Sequence, residues 1–150
     1  MESHLVKPVL QGKKARETKT YNIYNFFIIG LIFGIIPIMI LGTCNAIWLK
    51  EPKKKIYILL MIGIMALLAM FICAALIGNI YVLKIASRIA AAVVTGVYIY
   101  ALRERFRIHN LVNESTESLR WIGLIIGIVG IMAQTALLVG GEMLYVNFTE

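Results

Sequence analysis

The sequence has no aspartate in 150 residues, and its few other chemically versatile residues are two histidines, two cysteines and eight glutamates. This scarcity removes most enzyme chemistry. An intramembrane aspartate pair cannot be assembled, and His4 and His109 lie far apart in the chain. There is no H-E-x-x-H, C-x-x-C, G-x-S-x-G or phosphate-loop pattern. No catalytic residue, metal site or cofactor is expected. Cys44 and Cys73 both fall in apolar sequence at different depths, which argues against a disulfide and for two small core residues. Of the glutamates, only Glu142 falls inside an apolar stretch.

Apolar residues are what the chain has in abundance. Sixty per cent of it is hydrophobic and the mean hydropathy is +0.83, whereas soluble domains sit near about 45–50% apolar. Four stretches, about 26–49, 56–76, 80–102 and 121–146, each approach the ~20 residues that cross a bilayer as helix. The fold expected is therefore an all-α polytopic transmembrane bundle. Residues 1–24 form a basic tail and 25–150 the membrane domain. The first apolar run is too long for a signal-peptide core, and no small-residue cleavage pattern follows it, so the tail is expected to be retained.

The formal charge is +7, carried by 15 Lys and Arg. They cluster in the tail, at Lys50 and Lys53–Lys55, and at Arg103, Arg105, Arg107 and Arg120. Clusters of this kind beside membrane helices act as topology signals and meet anionic lipid heads. Lys53, Lys54, Lys55, Arg103, Arg105 and Arg107 are the expected head contacts. The basic segments lack interleaved aromatics, which disfavours nucleic acid as a partner.

Two topologies compete for the first stretch. As a plain span it leaves five cations with the tail on one side and eight on the other. As a re-entrant hairpin, bent where Pro37 removes a backbone bond, it puts all thirteen on the cytoplasmic side. Irregular backbone at that depth is tolerated only under cover of other helices or water. Both topologies leave the basic loops cytoplasmic and the C-terminus outside. Abundant Ile and Lys suit a bacterial plasma membrane.

Several local features are expected as well. The third stretch continues as helix through Arg107, with its cations near the helix C-terminus. Asn113 or Ser115 caps the last helix, with Glu114 and Glu117 nearby. Gly140-Gly141 ends that helix early, leaving Glu142–Val146 along the outer interface. Trp48, Tyr98, Tyr100 and Trp121 form an aromatic belt, and Asn79 is an interhelical hydrogen-bond residue. Asn113 and Asn147 fit glycosylation sequons, which matter only in a eukaryotic secretory membrane.

The candidate functional residues are few. Lys84 and Arg88 share one face of the third stretch, four residues apart. Embedded cations cost roughly 2.5–3.5 kcal/mol each, so they attract an anion, dock a partner helix, pair internally or snorkel. Glu142 is the expected partner of Lys84 and Gln134 that of Arg88. Gly30 with Gly34, Ala86 with Ala90, Ala92 with Gly96, and Gly123 with Gly127 follow the small-xxx-small pattern that lets helices approach closely.

Residues Glu104–Asn110 resemble the E-R-x-x-R-A-x-x-N stretch of membrane-associated eicosanoid and glutathione enzymes, which are also small four-helix proteins. Here the arginine spacing differs, and only one apolar stretch follows it. The function expected is a non-enzymatic subunit, scaffold or regulator of a membrane complex, working as a homo-oligomer or with a larger membrane-protein partner. The alternative is a homo-oligomeric pore or carrier preferring anions through Lys84 and Arg88.

Overall fold

A computed structural model describes residues 20–77, 79–112 and 119–149. Among them the chain forms five α-helices and no strand: α1 (Asn25–Phe33), α2 (Ile35–Trp48), α3 (Lys53–Ile77), α4 (Ile80–Val112) and α5 (Arg120–Thr149). The expected caps at Asn113 and Ser115, with Glu114 and Glu117, lie outside the described residues, as does the tail before residue 20. So does the side chain of Asn147.

Three helices contain stretches long and apolar enough to cross a membrane: Lys53–Ile77, Tyr81–Leu111 and Trp121–Leu144. No single helix runs through 26–49. The chain breaks at Gly34 into helices of 9 and 14 residues, about 13 and 21 Å long. Neither matches the ~30 Å of a hydrocarbon core. The two fold back on each other. The Tyr21 amide donates to Asn45 Oδ1 at 2.8 Å, and the Thr20 hydroxyl donates to the same oxygen at 2.9 Å. Tyr21 also packs against Trp48, with ring centroids 4.8 Å apart and the rings tilted by 44°.

The break occurs at Gly34 and not at Pro37. Gly34 has φ 92° and ψ −162°, a conformation essentially reserved for glycine. Pro37 falls in the first turn of α2, where its missing N–H would lack an intrahelical partner in any case. At the other end α2 closes with paired bonds from Lys50 N to Ile47 O and from Glu51 N to Ala46 O, with Lys50 left-handed at φ 53°.

The hairpin sits in the middle of the bundle, and glycines set the approach. A Cβ at Gly30 would run into Thr95 of α4, at Gly42 into Tyr98, and at Gly63 of α3 into Met39. On α5, Gly123 faces Ile29, Gly127 faces Phe33 and Gly130 faces Pro37. The basic ends adjoin. Lys55 pairs with Glu51 at 2.9 Å and donates to the Ala101 carbonyl, and Tyr24 meets Phe106 edge-on at 6.0 Å.

Some local expectations need correction. α5 continues through Gly140 and Gly141 to Thr149, because Gly141 packs on Ala74 and the Phe71 carbonyl of α3. Tyr98 is fully buried against Gly42, while Tyr100 and Trp121 are exposed. Asn79 caps α4 instead of bridging helices, accepting from Tyr81 N at 3.0 Å. Cys44 and Cys73 are free thiols.

Candidate functional site around the helix break

A helix break leaves carbonyls without partners on one side and amides without partners on the other. At membrane depth these groups need partners from elsewhere in the protein. Here two side chains supply them. Arg88 of α4 donates through Nη1 to the carbonyls of Leu31 and of Ile32, the latter at 2.8 Å. A cation at the C-terminal end of α1 also suits its dipole. Gln134 of α5 accepts from the Ile35 amide at 3.0 Å, at the start of α2. Gln134 is buried, and a Cβ on Gly34 would overlap its amide.

Arg88 and Gln134 therefore bond the hairpin tip and not each other. Lys84 forms no ion pair with Glu142, since among the described residues the one ion pair is Lys55–Glu51. Lys84 is exposed and stands 6.0 Å from the Tyr81 ring. Arg88 is turned into the hairpin, so snorkelling does not describe it.

A cavity of about 550 Å³ lies between the hairpin tip, α4 and α5. Its polar lining is Lys84, Ser87, Arg88, Gln134 and Thr135. Its apolar walls include Ile32, Phe33, Ile85, Ile89, Ile131, Leu138 and Val139. Ser87 is occupied, donating to the Lys84 carbonyl at 2.9 Å. A smaller apolar cavity of about 220 Å³, with Ala86 and Ala90 in its wall, lies beside Cys73 and Leu138.

Of the small-residue positions singled out in the sequence, Gly30, Gly34, Gly123 and Gly127 pack within the chain. Gly96 does not: a Cβ there meets nothing within 4 Å. Ala92, one turn away, is half-buried. The pattern missed Gly42, Gly63 and Gly130, whose neighbours come from distant helices. At the basic end Lys53, Lys54, Arg103, Arg105 and Arg107 are exposed, while Lys55 is held in place. Among the described residues no three His, Cys, Asp or Glu side chains gather as metal ligands would.

The chain matches no family model, no curated protein and no solved structure.

Proposed function

We propose that this chain is a non-enzymatic multi-pass membrane protein, acting through helix–helix packing as a subunit, scaffold or regulator of a membrane complex. The observation that carries this is the open face of α4 at Gly96. The two glycine pairs Gly30/Gly34 and Gly123/Gly127 are used up inside the chain, but Gly96 has space in front of it. Ile89, Val93 and Tyr100 beside it are exposed. Small residues at an open position let a second helix approach to backbone contact, which drives association in lipid.

The topology that accompanies this reading is a re-entrant hairpin within three spans. In support of this, the Tyr21–Asn45, Tyr21–Trp48, Lys55–Ala101 and Tyr24–Phe106 contacts bring residues 20–24, 45–55 and 101–106 close together. The cations described in and next to these segments are Lys50, Lys53, Lys54, Lys55, Arg103, Arg105 and Arg107, and by the positive-inside rule they favour a cytoplasmic location for that end and an external C-terminus. The exposed cations at that end suit anionic lipid heads.

Native mass spectrometry of C-terminally tagged protein, gently extracted from its own membrane, tests the proposal. A second copy or another membrane protein should co-purify stoichiometrically and be lost from Gly96→Leu, with the melting temperature unchanged. A bare monomer, or a partner retained by Gly96→Leu, would contradict it.

The second reading, a homo-oligomeric anion pore or carrier, draws on the cavity. Among the described residues two cations line it and no carboxylate does, which would disfavour cation passage. Chloride flux in proteoliposomes that is unchanged by Lys84→Ala would exclude it.

A further inference from the structure

The cavity at the hairpin tip combines features that a structural role does not require. Pinning the hairpin uses Arg88 Nη1 and Gln134 Oε1. The other two guanidinium nitrogens of Arg88 have no bond among the described residues, and Lys84 has neither hydrogen bond nor ion pair there. Both cations line the same cavity, about 6 Å apart along α4. They lie about 7 and 13 Å in from Asn79, where bare cations are unfavourable. Such a pair calls for an anion, and among the described residues no carboxylate lines the space.

The rest of the lining indicates what carries that anion. A water takes up about 30 Å³ of liquid, so the cavity far exceeds the needs of an inorganic ion. Its wall is mainly apolar, and six of its thirteen lining residues are branched aliphatic, Ile89, Ile131 and Leu138 among them. Lys84, Arg88 and Ile89 at its edge are exposed side chains on the flank of the bundle, so the space opens sideways. A hydrated inorganic anion gains nothing from such walls. A phosphate with an attached acyl chain uses both parts.

We infer that this groove binds an anionic phospholipid from the leaflet on the α3–α4 turn side. Its phosphate lies between Lys84 and Arg88, and an acyl chain runs along Ile89 and Ile131. Phosphate oxygens accept charge-assisted bonds from the Lys84 ammonium and from the remaining guanidinium N–H groups. Arg88 then bridges lipid and hairpin tip, so a bound headgroup bears directly on the break at Gly34. The inference rests on the bundle lying in a membrane. It is independent of assembly through Gly96 and of anion flux.

The test is native mass spectrometry of delipidated full-length protein titrated with phosphatidylglycerol or phosphatidylcholine. Phosphatidylglycerol should bind at least about fivefold more tightly, and Lys84→Gln should lose that preference. Lys84→Gln leaves every bond of the hairpin intact and should melt like the wild type, and Lys54→Gln at the opposite end should retain the preference. Should Lys84→Gln melt lower, Ile131→Trp tests the same groove with both charges kept, and it should displace the lipid. Equal binding of the two lipids would overturn the inference. So would a phosphatidylglycerol preference that survives Lys84→Gln in a folded protein, or Ile131→Trp where that variant is the one used. Displacement of the lipid by millimolar inorganic phosphate would assign the groove to a free anion instead. Co-purification of a membrane protein whose carboxylate pairs with Lys84 would assign it to a protein partner.

Discussion

Half of α2 is buried, seven residues of 14, whereas α3 buries four of 25. Among the described residues α2 is the most buried helix of this protein, packed on the buried face of α4, and α3 is mostly wrapping. In water the most apolar segments would be innermost, but lipid removes that drive, and burial follows close packing and polar bonding instead. α1 and α2 are too short to span alone, and they expose a backbone break that lipid does not tolerate. They are stable where three longer helices cover them and where Arg88 and Gln134 satisfy the break. α3, with most of its surface exposed as Ile58, Met61, Met65, Leu68 and Ile72, has no such requirement.

Substitutions should therefore be severe in the hairpin and mild on the wrapping. The largest effect is expected from Gly34→Leu, which forces a leucine into a glycine-only conformation and drives its side chain into Gln134. A cost of at least about 3 kcal/mol should leave little folded protein by size-exclusion chromatography. Asn45→Ala comes next. It unties the feet of the hairpin by removing the oxygen that accepts from both the Thr20 hydroxyl and the Tyr21 amide, costing about 1–3 kcal/mol in detergent melting. Gln134→Leu removes one acceptor, from Ile35 N–H, and should cost up to about 2 kcal/mol. Gln134→Glu keeps an acceptor at a helix N-terminus and should recover most of that loss. Met61→Leu on the exposed face of α3 should stay within about 0.5 kcal/mol of the wild type. A Met61→Leu effect as large as that of Asn45→Ala would erase the distinction between core and wrapping.

The long helices were legible because uninterrupted apolar sequence dictates them. Stretches read as 56–76, 80–102 and 121–146 correspond to Lys53–Ile77, Ile80–Val112 and Arg120–Thr149. The helical continuation through Arg107 was also legible, since charged good helix formers follow the apolar run. The position of the break was not. Proline is the usual marker of a bend, but in a first turn it is harmless, and the signal at Gly34 lies in a backbone angle that composition does not reveal. The importance of Arg88 and Gln134 was visible in their placement in apolar sequence, but their partners were not. The groups they satisfy are main-chain atoms freed by the break, and main-chain atoms leave no trace in the pattern of side chains. Tyr98 read as an interfacial aromatic because its receptor, Gly42, lies 56 positions earlier on another helix.

The most direct measurement is sidedness across the hairpin. Cys44 and Cys73 are replaced by alanine, and a single cysteine is placed at Ser3 or at Lys53, before or after the hairpin. Each variant is then exposed to a membrane-impermeant maleimide in intact cells and in inverted vesicles. If the chain turns back at Gly34 within the membrane, both positions resist labelling in intact cells and both react in inverted vesicles. If Ser3→Cys labels in intact cells while Lys53→Cys does not, the first stretch crosses the membrane and the hairpin does not exist there.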